Sequence, residues 1–401
     1  MKLHIITAAL PPRLDGIGDY TALLAAELAG QAEVSILSGE GPHARPIPGV
    51  RIIPIFLPAA PASVRALLAH ARAERPDWLL LQYNPFAYGK WGLNPHLPLV
   101  LSAIRRQVPQ TRLAVMMHEA YVPVINWKFA VMTTWQRWQL WSLARTANVG
   151  FCSIDTWVKQ FQPWFAGKPL LHLPVGSNIC RLEISRQDAR ARLGIAPETI
   201  VVGQFGAAHI SRLQGLVRDT MEAICREGHD GLLLYIGPST QEVSVALGNL
   251  PLRADGPLPA DEVSRRFAAM DIYLAPFVDG VSTRRGSLMA GLQHGIATVG
   301  TRGVWTDTLW AEQDGRALLL ADALNPEAFR TQAMRLVDDV SLRQRLGLEA
   351  RQLYEREFTW KTISARLLTA LEITSPTAPF INQGRPESSS SRQGEGRGKV
   401  Q

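Results

Sequence analysis

The stretch DGVSTRRGSLMAGLQHG, from Asp279 to Gly295, concentrates residues that could do chemistry. Arg284 and Arg285 stand directly before Gly286, Ser287 and an apolar helical run, and the apolar segment DIYLAPF leads in. A helix starting near Gly286 offers free backbone amides and the positive end of its dipole, roughly half a unit charge. Two guanidiniums added there are unfavourable unless an anion compensates. Arginine forks match phosphate oxygens bidentately, Ser287 adds a hydroxyl donor, and Gly286 permits close backbone approach. The chemistry this spacing predicts is the binding of a strongly anionic group.

Three further segments place polar residues just past apolar runs. In PPRLDGIGDYT, Gly16 and Gly18 flank Ile17 before a helical pattern. Such a turn lets backbone amides approach a phosphate, or it is simply a flexible strand-to-helix connection. MMHEAYVP ends another run with His118 and Glu119. An imidazole there could accept a hydrogen bond from a substrate hydroxyl, although a lone histidine is more often a satisfied structural group. GQFGAAHISRLQGL carries Arg212 ahead of a helical pattern, which by itself reads as a solvated surface arginine.

Two aromatic segments add to these. LLLQYNPFAYGKWGLNPHLPLVL sets Tyr83, Tyr88 and Trp91 among glycines and prolines, which suits either stacking on a sugar ring or ordinary loop packing. NWKFAVMTTWQRWQLWSLAR interleaves Trp127, Trp135, Trp138 and Trp141 with Lys128, Arg137 and Arg145. Trp with Arg on a helix is compatible with a membrane surface, but the i, i+3 spacing of Trp135, Trp138 and Trp141 favours burial.

These residues need elements to position them. Candidate strands are KLHIITA, EVSILSG, RIIPIFL, WLLLQYN, RLAVMMHEA and NVGFCSI in one series, then TIVVGQFGA, GLLLYIG, DIYLAPF, IATVGT and RALLLAD in a second. Short, nearly continuous apolar strands alternating with helical patterns predict parallel sheets covered on both faces. The expected fold class is α/β, with two doubly wound, Rossmann-like domains facing each other across a cleft. Their expected extents are 1–178 and 179–355, with a returning helix over 356–374 and a disordered Ser/Gly/Arg-rich tail over 375–401. Ligands in such sheets sit beyond the carboxyl ends of strands, where all the candidate residues lie.

Composition narrows the function classes. The 401 residues suit two domains, and an apolar fraction of 46% supports a large core. The net charge of +7 includes +2 from Arg385, Arg392, Arg397 and Lys399 against Glu387 and Glu395, which leaves +5 on the folded part. That mild excess fits phosphate-bearing ligands or an anionic membrane surface, and nucleic acid is not an expected partner. Cys152, Cys180 and Cys225 stand far apart, which argues against disulfides or a zinc site and fits a reducing, cytoplasmic setting. MKLHIITAAL is too short for a signal peptide, and no apolar run reaches transmembrane length.

With two doubly wound halves, LDGIGDYTALLAAEL after the first strand, His118 at a strand end, VGSNI at the junction and LAPFVDGVSTRRGSLMAGLQHGIATVGT, the chain resembles retaining glycosyltransferases of the GT-B fold, group 1 or family 4, in one bacterial branch. The likeness covers most of residues 1–372. It implies a nucleotide-diphosphate-sugar donor held mainly by the second domain, and no metal. It places Gly16 near the donor phosphates, His118 near the transferred sugar, and Arg212, Arg285, Gly286 and Ser287 on the diphosphate. Glu119, Asp279, Ser282 and Arg284 become candidate contacts to the donor or its sugar. The acceptor expected from the resemblance is a carbohydrate or lipid-linked intermediate, met in the cytoplasm or at the inner face of the membrane. Phe358 and Trp360 resemble the segment that crosses back to the first domain.

The chain departs from that pattern in places. The glutamate pair usual in this segment falls at Ser282 and Ala290, and the family's arginine ahead of the Arg212 position is Gln204. A nucleotide-sugar binding module without transfer is therefore an alternative. A hydrolase or epimerase of the same fold, drawing on Asp15, Asp19, Glu119 or Asp279, is a more distant one.

Overall fold

The computed structural model describes residues 1–39, 44–124, 126–208 and 211–374; the expected disordered tail lies outside the described residues. The first domain contains β1 (Lys2–Thr7), β2 (Glu33–Gly39), β3 (Val50–Phe56), β4 (Trp78–Tyr83), β5 (Arg112–Met117), β6 (Val149–Cys152) and β7 (Leu170–His172). The second contains β8 (Ile200–Phe205), β9 (Gly231–Ile236), β10 (Leu252–Ala254), β11 (Ile272–Ala275), β12 (Ala297–Arg302) and β13 (Leu319–Asp322). The sheets run β3-β2-β1-β4-β5-β6-β7 and β10-β9-β8-β11-β12-β13, and their strand pairings are parallel. These are the two doubly wound domains read from the sequence. The three-residue edge strands β7 and β10 add to the predicted set.

Every residue of β4 is buried, as are all four of β11. Helices cover both faces of each sheet, so apolar side chains point both ways and no polar alternation survives. Strand order reverses between β1 and β4 and between β8 and β11, the switch points outside which sheets of this kind bind ligands.

The domains are stitched at the junction. The Val175 amide donates to the Thr283 carbonyl at 2.9 Å. Trp360 Nε1 donates to the Ser177 carbonyl at 2.8 Å. The Trp360–Ile373 helix, opened by Thr359, whose hydroxyl accepts from the Thr362 amide, packs on the Gly16–Leu28 helix of the first domain. A Cβ on Gly176 would meet Trp360 Cε2 at 2.9 Å, so only glycine lets the junction pass under that ring.

The Trp127–Thr146 helix corrects one expectation. Trp138 and Trp141 are exposed and Trp135 is half-buried, while Gln136 and Gln139 are buried. The glutamines face inward because they have polar partners there. Gln136 takes the Val122 amide at 2.9 Å and donates to the Trp91 carbonyl at 3.1 Å. Gln139 donates to the Gly92 carbonyl at 2.6 Å and accepts from the Asn94 amide. Satisfying a buried loop backbone outweighs the usual inward preference of tryptophan at this place.

Candidate active site

The second-domain wall is built where β8 and β11 end. Arg212 is only 9% exposed, and its Nη2 donates to the Phe205 carbonyl at the end of β8 and to Ser287 Oγ at 3.2 Å. Its Nη1 is buried and finds no partner among the described residues, and no carboxylate is paired with it there. Gly206 follows β8 with φ +100°, and a Cβ on it would lie 2.9 Å from Arg212 Nη2. The Phe277 ring, just past β11, has the Arg212 guanidinium at 4.9 Å from its centre and that of Arg285 at 4.2 Å. The Gly286–Gln293 helix begins beside them with no side-chain cap. Its first two amides, Gly286 and Ser287, have no acceptor among the described residues, so this helix start keeps its positive end open.

The twin arginines are less free than their spacing implies. Asp279 bridges them, accepting from Arg285 Nη2 at 2.6 Å and from Arg284 Nη2. Glu119 of the first domain accepts from Arg284 Nη1 at 3.0 Å. The chain thus supplies two carboxylates for its two guanidiniums, and the compensating anion is at least in part its own. Burial and the neighbouring Arg284 lower Arg285 to about 10, against the pull of Asp279. Ser282 and Ala290 are fully buried, and Ser282 Oγ has no partner among the described residues. Neither position offers the cleft an accessible atom.

On the first-domain side, His118 follows β5 with its amide on the Tyr83 carbonyl at 3.0 Å. Its Nε2 lies 2.7 Å from Gln82 Oε1, and the Tyr20 ring meets it edge-on at 4.8 Å. With a carbonyl oxygen as partner, Nε2 carries the proton and Nδ1 is the acceptor of the ring. Burial depresses its pKa to about 3. The ring is therefore neutral near pH 7 and suits accepting a hydrogen bond from a hydroxyl. Tyr20 in turn meets Trp360 at 5.2 Å, so the returning helix braces the histidine from behind.

Gly16 is the first residue of the Gly16–Leu28 helix and is exposed, with open space around its Cβ position. The glycine that packing demands is Gly18, where a Cβ would stand 2.9 Å from the Ala9 carbonyl oxygen. Asp15 Oδ1 caps this helix, accepting from the Ile17 amide at 3.0 Å and the Gly18 amide at 2.7 Å. Two of the amides that the glycine turn was expected to turn toward a phosphate are thus already taken by a carboxylate.

A polar latch lies between the domains. Thr283 donates to the Ser153 carbonyl at 2.7 Å and contacts His172 Nε2 at 2.8 Å, and its amide donates to Asp307. Asp307 also accepts from the Asp155 amide at 2.7 Å, and Asp155 accepts from the Thr308 amide at 2.9 Å. Burial raises Asp307 to about 7, helped by the charge of Asp155. Burial lowers His172 to about 4.

The structure joins Glu119 of the first domain to the Arg284–Asp279–Arg285 cluster, sets Arg212 and Arg285 on the Phe277 ring with Arg212 bonded to Ser287, and places His118 directly before Glu119 at the end of β5. Sequence reading missed Phe277, Gly206, Gln82, Tyr20 and Asp307. A glycine directly after β8 was a readable signal. The others act through contacts with residues far away in the chain.

Two Rossmann-like domains meeting across such a cleft, with a C-terminal helix returned to the first, form the GT-B architecture. The solved structures agree. The chain is similar to sucrose-phosphate synthase from Thermosynechococcus elongatus (TM-score 0.72, 15% identity, 92% of this chain and 97% of that one). It is also similar to HepE from Anabaena in complex with UDP and glucose (TM-score 0.67, 14% identity, 92% and 99%). A glycosyltransferase from Rickettsia africae gives a TM-score of 0.66 at 11% identity, over 94% and 99%. No protein-family model matches the chain, and no curated protein sequence does.

Proposed function

We propose that this chain is a retaining glycosyltransferase of the family 4, group 1 type, moving a sugar from a nucleotide-diphosphate-sugar to a carbohydrate or lipid-linked acceptor on the cytoplasmic side. The observation that carries the proposal is Arg212. A guanidinium buried to this degree, with an unpartnered Nη1 and no carboxylate paired with it among the described residues, is costly unless an anion joins it. The open amides of Gly286 and Ser287 point to the same missing charge. HepE, solved with UDP in this architecture, supports a nucleoside diphosphate as that anion.

In this reading the second domain binds the donor diphosphate through Arg212, Ser287 and the helix amides. Their fixed dipoles stabilise the charge that grows on the leaving diphosphate, with no metal required. Arg285 and Arg284 reach the phosphates by leaving Asp279, which releases that carboxylate and Glu119 toward the sugar. His118 Nδ1 accepts a hydrogen bond from a hydroxyl of the transferred sugar. The acceptor attacks the face from which the diphosphate departs, and a diphosphate oxygen takes the acceptor proton. The Thr283–Asp307 latch holds the closed cleft, which excludes water and limits hydrolysis.

The buried Ser282 and Ala290, standing where the resemblance places glutamates, favour a second reading: a module that binds nucleotide-sugar without transferring it. A panel of nucleotide-sugars, assayed for nucleoside diphosphate release with and without acceptor extracts, separates the two. Release that depends on Arg212 supports transfer. Binding without release across the panel refutes it.

A further inference from the structure

We propose that the outward face of the Trp127–Thr146 helix, with Trp91 beside it, docks on the surface of an anionic phospholipid bilayer. Trp127 is 72% exposed, Val131 49%, Trp138 45% and Trp141 44%, at i, i+4, i+11 and i+14, so they form one stripe. Trp91 is 63% exposed, and its carbonyl is gripped by Trp135 Nε1 at 3.1 Å, which fixes its loop against the same helix. The stripe is not a mispacked core. Gln136 and Gln139 occupy the inward face and are fully used there, so the apolar residues are outside by construction.

Charge selects the occupant. The Trp127–Thr146 helix carries Lys128, Arg137 and Arg145 and no acidic residue, and Lys90 stands beside Trp91. The cations accompany the aromatic rings: Lys90 over Trp91 at 5.2 Å, Lys128 over Trp127 at 5.8 Å and Arg145 over Trp141 at 5.2 Å. Tryptophan and lysine or arginine on one helical face are what the headgroup region of an anionic membrane accommodates, rings at the acyl boundary and cations among the phosphates. Among the described residues no helix is long and apolar enough to cross a membrane, so the helix would lie in the plane of the surface.

The placement links the surface to the cleft. The Trp91 loop follows β4 and the start of the Trp127–Thr146 helix follows β5, so both sit at the strand ends that also present His118. Resting on the transferase reading, this positions the acceptor entrance at the membrane and makes the acceptor a membrane-borne amphiphile.

Flotation of the full chain with vesicles tests the docking without any donor. Phosphatidylcholine vesicles containing phosphatidylglycerol should carry the protein, phosphatidylcholine alone should not, and raised salt should weaken the binding. The double variant Trp127→Ser/Trp138→Ser should lose roughly tenfold or more in vesicle affinity while keeping its melting temperature and its thermal shift with UDP. The single variant Trp138→Ser should lose less and guards against a folding defect in the double variant. Equal vesicle binding by parent and variants overturns the proposal. So does an absence of binding to anionic vesicles, including a case where the stripe instead holds a dimer that the double variant dissociates. A failure of sugar transfer would leave the vesicle result standing, so the two readings fail separately.

Discussion

Asp279 holds two guanidiniums that the proposed donor must reclaim, and Asp279→Asn exposes that competition. The carboxylate is 15% exposed and accepts from both Arg284 and Arg285, whose side chains are 12% and 18% exposed. Removing one partner of such a cluster costs about 3–5 kcal/mol, because buried charge is left uncompensated. Taking ~3 kcal/mol, and about 2–4 °C per kcal/mol for a domain of this size, the ligand-free variant should melt ~6–12 °C lower. The same loss frees Arg285 for phosphate and leaves Arg284 held by Glu119 alone. Charge-assisted hydrogen bonds contribute about 1.5–3 kcal/mol each, and ~1.4 kcal/mol is tenfold in affinity. A nucleoside diphosphate should therefore bind the variant about tenfold or more tighter than the parent and raise its melting temperature further. Thermal melts across a titration of UDP and other nucleoside diphosphates, checked by calorimetry, read both effects. An unchanged ligand-free melt, or weaker diphosphate binding in a variant with native circular dichroism, would refute the assignment of these arginines.

Four further outcomes follow from the same geometry. Arg212→Met, which replaces a cation lacking a carboxylate with an apolar chain of similar length, should leave the ligand-free melt unchanged or raise it, yet abolish nucleoside diphosphate binding in calorimetry. Gly206→Ala, which forces a side chain into φ +100° against Arg212, should cost roughly 1–3 kcal/mol and weaken diphosphate binding, both read from melts with and without ligand. His4, His118, His172 and His294 are depressed, chiefly by burial, to about 4, 3, 4 and 4 from 6.5, so the stability they confer is complete above pH 6.5 and is lost as pH falls through their folded values. Asp307, raised to about 7 from 3.8, works in the opposite sense, its contribution being complete below pH 3.8 and lost as pH rises through 7; four groups outweigh one, so the melting temperature should fall from pH 6.5 to 4, and His172→Gln should flatten that slope. Glu119→Gln, which cuts a half-exposed ion pair from the first domain to Arg284, should leave diphosphate affinity within a few-fold by calorimetry and cost no more than about 1 kcal/mol in thermal melts.

Much of this molecule is determined by sequence alone. Apolar runs of four to seven residues, separated by helical patterns, dictate parallel strands covered on both faces, because only burial on both sides removes the polar alternation of a half-exposed sheet. That fixes where ligands can sit, and it is why His118, Arg212 and Arg285 could be picked out as residues following strands. The short β7 and β10 escaped, since three residues carry too little pattern. What only the tertiary structure decided is pairing. Arg212, which by itself reads as a solvated arginine and is assigned to the diphosphate only through the resemblance, is buried beneath Gly206 and Phe277, while Arg284 and Arg285 read as uncompensated and are held by Asp279 and Glu119. The tryptophan helix inverted its expected faces because Gln136 and Gln139 had a distant loop to satisfy. Charge balance, hydrogen-bond satisfaction and burial are properties of neighbours in space, and residues 119 and 284 become neighbours only when two separately folded sheets close on each other.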